Sequence, residues 1–374
     1  MRHTKDTVTM KVKLGNQNIF ILCWTFLVAV TISCNSQSQS NKENQIVHSK
    51  DNSTRLKYTT GVRSILEDSK GNTWFGSYNE GVSLLHNGKF QYFTTENGLS
   101  NNQVRNIYED GNGIIWFECG RGLSTYNGQQ MTIYKERDFS AENKWELNSN
   151  DLWFMSDLVP GYSNRQGDRE GNPGILQYNG KELFFRKFPV TQDSGDVFDH
   201  SVSTPFVKGK NGTFWIGTYT SVIGYNGSDF KIIDNAYLGF SKEIRSLHVR
   251  SIMEDSKGNL WIGNNGIGVL KYDGEKVVNF TEQQKLKKED TNGNSLERVF
   301  SIGQDTLGNI WFGTRDFGVW RYDGKSVKNF TKEDGLESKQ IWTIYTSKQG
   351  ELWFGGANPS GVYRFNDKSF ERKY

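Results

Sequence analysis

A short turn followed by tryptophan and a second apolar residue returns seven times along this 374-residue chain. That repetition limits what the chain can fold into more than any other feature. The best preserved copies read Val-Arg-Ser-Ile-Leu-Glu-Asp-Ser-Lys-Gly-Asn-Thr-Trp-Phe-Gly at 62–76 and Val-Arg-Ser-Ile-Met-Glu-Asp-Ser-Lys-Gly-Asn-Leu-Trp-Ile-Gly at 249–263. Related copies lie at 104–117, 299–313 and 341–355, a looser one at 208–217, and the most eroded at 150–154. The marker tryptophans are Trp74, Trp116, Trp153, Trp215, Trp261, Trp311 and Trp353, separated by 42, 37, 62, 46, 50 and 42 residues.

Each copy contains four short strand signals. Strand a has the Val-Arg-Ser-Ile alternation, and strand b is the Trp-Phe-Gly or Trp-Ile-Gly run. Strand c is a Gly-Val-Ser-Leu-Leu type of segment, and strand d a Phe-Gln-Tyr-Phe-Thr type. The a–b junction is Asp-x-x-Gly, whose glycine supplies the positive φ of a tight turn. The c–d junction is Asn-Gly or Asp-Gly in six copies, from Asn87-Gly88 to Asp323-Gly324, a strong hairpin signal. Four-strand repeats of forty-odd residues describe an all-β fold, a seven-bladed β-propeller of four-stranded antiparallel blades. The tryptophans are expected between blades. Asp68, Asp110, Asp255 and Asp305 are expected to satisfy turn amides and not a metal. One puzzle remains at closure: 55–60 and 369–374 both look like strand d, giving eight such segments for seven blades.

Composition agrees with a folded β protein, with forty glycines, five prolines and 14% aromatic residues. The net charge of +3 disappears once it is located. Residues 1–33 carry Arg2, Lys5, Lys11 and Lys13 against Asp6, which is the whole +3, so 34–374 is neutral. A basic start followed by the apolar run 19–33 is the layout of a secretory signal peptide. Its end, Thr31-Ile32-Ser33-Cys34, resembles a bacterial lipobox, which implies lipidation of Cys34. The alternative is an uncleaved N-terminal anchor. The domain reading is a lipoprotein signal over 1–33, a polar tether over 34–53 and the propeller over 54–374. That places the protein in the cell envelope, lipid-anchored at the outer membrane and facing the periplasm or the surface. Beyond Cys23 and Cys34 only Cys119 remains, so no disulfide framework is expected. The dispersed histidines His48, His86, His200 and His248 offer no metal spacing, and no metal or cofactor is expected. Lys285 to Lys288 is followed by Glu289-Asp290 and reads as a solvated loop, so no nucleic-acid partner is expected.

The spacing also selects a face. With strand a innermost, the a–b and c–d turns open on one side of the disc and the b–c and d–a connections on the other. The first set is short throughout, and all length variation lies in the second. The largest insertions span 155–173, 135–147, 189–203, 234–248 and 282–298. That face is the candidate binding surface. Near its channel mouth fall Arg63, Arg105 and Arg250 at one repeat position, where blades 6 and 7 carry Phe300 and Trp342. After strand b come Tyr78, Asn79, Glu118, Arg121, Tyr219, Asn265, Arg315, Asp316 and Asn358. Arginine forks and aromatic faces suit a polar ligand such as an oligosaccharide or a peptide segment. The same arginines could instead pair with acids of neighbouring blades. Trp145 either caps the core or binds.

The pattern Asp-x-x-Gly-Asn-x-Trp-[Ile/Phe]-Gly … Gly-[Val/Leu] … Tyr-[Asp/Asn]-Gly resembles the two-component regulator propeller repeats of Bacteroidetes, over roughly 55–374. That resemblance implies a periplasmic sensor-like region, often tied to recognition of glycan breakdown products. In the family such repeats commonly precede a further β-domain, a membrane helix and a histidine kinase. None follows here before Tyr374, so the expectation is a separate signalling partner and no kinase or DNA-binding output in this polypeptide. The repeat is also similar to the propeller of virginiamycin B lyases, although that family's catalytic histidine and acid find no matching positions. The reading is therefore a ligand-binding protein and not an enzyme, with a lyase or an envelope scaffold as the alternatives.

Overall fold

The computed structural model describes residues 55–374, apart from 121, 135–142, 156–172, 191–199, 242–245 and 292. The 1–33 signal, Cys34 and the 34–53 tether lie outside the described residues. The rest forms seven antiparallel sheets in chain order, a seven-bladed β-propeller. Six sheets have four strands in the order a-b-c-d, and blade 3 shows three among the described residues. Those three, Leu152–Phe154, Gly174–Tyr178 and Leu183–Lys187, are its b, c and d strands. The approach to blade 3, described from 143, is irregular, and Trp145 there stacks on Trp153 and packs edge-on against Tyr225 and Phe230. Trp145 caps the core between blades 3 and 4.

The marker tryptophan lies between blades throughout. Trp74 of blade 1 meets Phe117 and Tyr126 of blade 2, and Trp261 of blade 5 meets Phe312 and Tyr322 of blade 6. Trp311 likewise reaches Phe354 and Phe365 of blade 7. Each sheet alone would leave one apolar face in water, and the next blade covers it.

The turn aspartate does more than hold its turn. Asp255 Oδ1 accepts from the amides of Lys257 and Asn259, and its Oδ2 accepts from the indole Nε1 of Trp261 at 2.8 Å. Asp68 with Trp74, Asp110 with Trp116 and Asp305 with Trp311 repeat the indole bond at 2.8–3.0 Å. In blade 7, where Ser347 replaces the aspartate, Glu351 accepts from Trp353 Nε1 at 3.0 Å. Blade 4 has Gly209 at that position and no acceptor for Trp215 Nε1 among the described residues. Each carboxylate thus ties its a–b turn to the ring that joins its blade to the next.

The c–d connections differ from the two-residue hairpin that Asn-Gly suggests. Only blade 1 has one, with Asn87 and Gly88 both at positive φ and His86 paired to Lys89. Elsewhere the loop has four residues, such as 127–130, and the Asn or Asp side chain accepts the amides two and three positions on. In blades 2, 4, 5 and 6 the preceding tyrosine hydroxyl donates to the following glycine carbonyl. That bond accounts for the Tyr-[Asp/Asn]-Gly triplet. The side-chain caps make the longer loop as well satisfied as a primed turn.

Closure uses the C-terminal segment. Phe370–Arg372 is strand d of blade 7, so that blade is built entirely from C-terminal residues. Residues 55–60 form no strand. They run against blade 1, where the Tyr58 hydroxyl donates to the Phe75 carbonyl and Glu80 accepts from Thr59 and Thr60. Leu56, Tyr58 and Trp353 share one core cluster, and the Tyr374 ring packs on Phe75, Phe90 and Trp353. Both described ends therefore seal the joint between blades 7 and 1.

Removing a buried tryptophan that joins blades, as in Trp261→Ala, should cost about 3–5 kcal/mol in denaturant unfolding. Asp255→Ala should cost about 1–3 kcal/mol by the same measurement, since it strands the indole donor and two turn amides. Burial opposes ionisation of Asp68 and Asp255, but hydrogen bonds from Asn72 and Trp74, or Trp261 and Asn259, outweigh it and hold both carboxyls below 3.8. A folded-state value that is depressed makes this contribution present above 3.8 and lost as the pH falls through the folded-state value. The stability gap between wild type and Asp255→Ala should therefore narrow below pH 3.8.

Candidate functional site

Five of the innermost strands carry the same irregularity. In Val62–Glu67, Val62 pairs with Ser77 and Ser64 with Gly76, leaving Arg63 as the extra residue of a β-bulge. Val104–Glu109, Val249–Glu254, Val299–Gln304 and Gln340–Thr346 shift register at the same step. The bulged residues are Arg63, Arg105, Arg250, Phe300 and Trp342. A bulge re-aims its side chain out of the pleat, and here all five line one central cavity of about 570 Å³. In blade 4, Val202 pairs with Thr218 and Ser203 takes the equivalent place.

Glycine in the Trp-x-Gly run permits this crowding near the axis. A Cβ on Gly76 would lie 2.2 Å from Ser64 Oγ and 2.8 Å from Val104 of the next blade, and Gly263 and Gly313 are equally confined. Glu118 replaces that glycine in blade 2. It is buried, accepts from Asn106 Nδ2 at 3.0 Å and approaches the Met155 amide of blade 3 at 3.3 Å.

Seven of the sequence-derived residues line the cavity: Arg63, Tyr78, Arg105, Tyr219, Arg250, Phe300 and Trp342. The Arg63 guanidinium lies over the rings of Tyr78 and Trp342, at 5.7 and 5.2 Å. Arg250 lies over Tyr219 and Phe300, both at 5.3 Å. Each of these two cations is thus flanked by two rings, one from its own blade or the blade behind and one across a blade joint. Arg105 donates from Nη1 to Met155 Sδ at 2.8 Å and from Nε to Gln103 at 3.3 Å. Neither Arg63 nor Arg250 has an ion-pair partner among the described residues, so pairing with neighbouring acids does not account for them. Burial, together with the charge of Arg105, holds the Arg63 guanidinium down to about 10.

The other candidates stand apart from this cavity. Asn79 and Asn358, the latter at φ 61°, are exposed. Asp316 pairs with Arg298 at 3.2 Å and approaches Arg315 Nε at 3.9 Å, an exposed cluster of the kind worth little energetically. Asn265 bridges to Arg298 and lies 3.5 Å from His248. Arg121 lies outside the described residues, as does most of the 155–173 insertion. The 282–298 connection folds back onto the body: Leu296 is buried, and its amide and carbonyl bond to Leu286 and Thr281. Sequence reading passed over Gln103, Met155 and Ser203, which also line the cavity. Ser203 could have been found by aligning bulge positions; Met155 sits in an insertion without a repeat equivalent.

His248 precedes strand a of blade 5, its ring 5.1 Å from Tyr219 and its Nε2 buried without a partner. Burial first, and then the charge of Arg250, bring its pKa down to about 4. Among the described residues no group of three or more His, Cys, Asp or Glu side chains could hold a metal ion. No helix among them is long and apolar enough to cross a membrane.

These sheets, joints and the lined channel define a seven-bladed β-propeller with a cationic, aromatic-flanked centre. Its repeats are of a known kind: the two component regulator propeller model matches residues 59–79, 98–117, 243–266 and 335–358. No curated protein matches the chain in sequence. Among solved structures, it is similar to the extracellular domain of BT3049 from B. thetaiotaomicron, described as a hybrid two component system. There the TM-score is 0.61 at 20% identity, over 85% of this chain and 40% of that one. This chain therefore spans less than half of that domain. A streptogramin B lyase structure gives a TM-score of 0.54 at 13% identity, covering 83% of this chain and 94% of that one. YCF48 bound to D1 peptide gives 0.50 at 12% identity, covering 83% and 93%. These likenesses are of fold.

A histidine with a depressed folded-state value binds its proton less readily when folded than unfolded. Its contribution to stability is complete above the ordinary 6.5 and declines as the pH falls toward about 4. His248→Gln should flatten the thermal-unfolding midpoint across that window. In NMR the wild-type imidazole should titrate near 4, and a value near 6.5 would contradict the burial assigned to it.

Proposed function

We propose that this chain is an extracytoplasmic ligand-binding propeller with a sensor-like role, and that its ligand enters the central channel from the face bearing the long connections. The observation that carries this reading is the convergence of Arg63 and Arg250, each between two aromatic rings, on one open cavity without a described counter-charge. Holding like charges together in a half-buried site is unfavourable unless something else is bound there. An oligosaccharide or a segment of a protein partner suits the mixture of forks, rings and amides. The two component regulator repeats support a place in signalling, which would pass through a separate partner protein.

The basic and apolar run over 1–33 and Cys34 support export and lipid anchoring, with the propeller held outside the cytoplasm by the polar 34–53 segment. Binding without turnover is the reading preferred over a lyase, whose alternative standing comes from the fold likeness to the streptogramin B lyase structure.

The test is thermal shift of the purified full chain, in mild detergent, against an oligosaccharide panel with and without divalent cations. A binding ligand should raise the midpoint, and Trp342→Ala should remove most of that increment while leaving the unliganded midpoint nearly unchanged. Metal-dependent product formation would replace binding by lyase chemistry. For the anchor, Cys34→Ser should abolish incorporation of radiolabelled palmitate and release the chain from the membrane fraction. Unchanged labelling would place the lipid elsewhere.

A further inference from the structure

Resting on the channel-binding reading above, we propose that the ligand is an acidic oligosaccharide whose carboxylate or sulfate groups meet the guanidinium groups of Arg63 and Arg250. Among the described residues lining the cavity none is an aspartate or glutamate, and neither Arg63 nor Arg250 has an ion-pair partner there. The chain beyond 1–33 is neutral overall, so this is a local concentration of one sign and not a reflection of a basic protein. Arg250 Nε is buried and has no hydrogen-bond acceptor, a donor left without compensation until an acceptor enters.

The flanking rings turn a charge cluster into a site. Tyr78 and Trp342 beside Arg63, and Tyr219 and Phe300 beside Arg250, limit the sweep of two long side chains, so less freedom remains to be lost when an anion binds. Tyr78 is 41% exposed and stands edge-on to Trp342 at 4.9 Å, presenting aromatic surface at the mouth. Pyranose rings stack their apolar faces on such surfaces and project their acidic groups from the ring edge, where a neighbouring guanidinium can fork onto them. Gln103 and Ser203 add amide and hydroxyl partners for sugar hydroxyls. Burial first, and then the charge of Arg105 and more weakly of Arg250, make Arg63 lose its proton more readily, and a bound anion would offset both.

The experiment is calorimetric titration of the purified full chain with four probes: a galacturonic acid trimer, its fully methyl-esterified form, a sulfated disaccharide and a tri-glutamate peptide. The ester keeps the sugar rings and removes the charge. We expect the acid trimer or the sulfated disaccharide to bind at least about tenfold more tightly than the ester, with affinity falling as sodium chloride is raised. Arg63→Gln and Arg250→Gln should each weaken that binding by about 10–100-fold, the range for a lost charge-assisted hydrogen bond. Circular dichroism and the unliganded unfolding midpoint establish that each variant is folded. Equal binding of trimer and ester would overturn the anionic assignment while leaving saccharide binding in the channel intact. Tight binding of tri-glutamate with neither acidic saccharide bound would overturn it in favour of a peptide. Failure of all four probes, with no shift from inorganic sulfate against chloride at matched ionic strength, would overturn the anion site itself, and a neutral ligand found by the wider panel would still uphold the channel.

Discussion

The bond from indole to turn carboxylate is the interaction on which this propeller depends. A tryptophan pushed between two sheets buries a large apolar surface, but its N–H must still find an acceptor. In four blades the aspartate that closes the a–b turn supplies it, and in blade 7 Glu351 does. One carboxylate therefore sets turn geometry, satisfies the buried donor and orients the ring that grips the next blade. Repeating this unit makes the joints that follow blades 1, 2, 5, 6 and 7 alike, while Trp215 of blade 4 packs on Tyr272 of blade 5 without that bond among the described residues.

The joints draw on every strand, and within strand a core positions such as Val104 and Ile107 leave one bulged position free to differ. The bulges of the inner strands turn one residue per blade toward the axis without disturbing the ladder on either side. That position accepts arginine, phenylalanine, tryptophan or serine because nothing in the core depends on it. Conserved packing geometry and variable channel chemistry thus occupy adjacent residues, such as Val62 in the core and Arg63 in the channel. The cost of gathering cations at the axis is borne by the stability of the joints around it.

Much of the fold could be read along the chain. Trp74 through Trp353 marked seven blades, and Asp68 or Asp255 marked the turns, because both recur at fixed spacing. The c–d hairpins were legible in Asn-Gly and Asp-Gly but their length was not, because side-chain caps, as at Asn127, stabilise a four-residue loop as readily as Asn-Gly favours a two-residue one. Blade 3, where the repeat has eroded to Asn-Asp-Leu-Trp-Phe, shows its b, c and d strands among the described residues. In the site, Arg63, Arg105, Arg250 and Trp342 came from one repeat position and stayed together. Asn265, Arg315, Asp316 and Asn358, chosen only for following strand b, do not line the cavity, and Asn265 and Asp316 meet Arg298 instead.

The chain by itself determined the class of fold, the number of blades and the face that varies, since these follow from period and spacing. Tertiary structure alone decided that 55–60 would brace the joint between blades 7 and 1 as a strap and not a strand, although 55–60 and 369–374 look alike. The C-terminal segment follows blade 7 directly and takes the edge, while the other finds its partners in Glu80 and the Phe75 carbonyl. Only the folded ring, too, could show two arginines standing between aromatic rings, because each such pair of rings spans a blade joint and its members lie far apart in the chain.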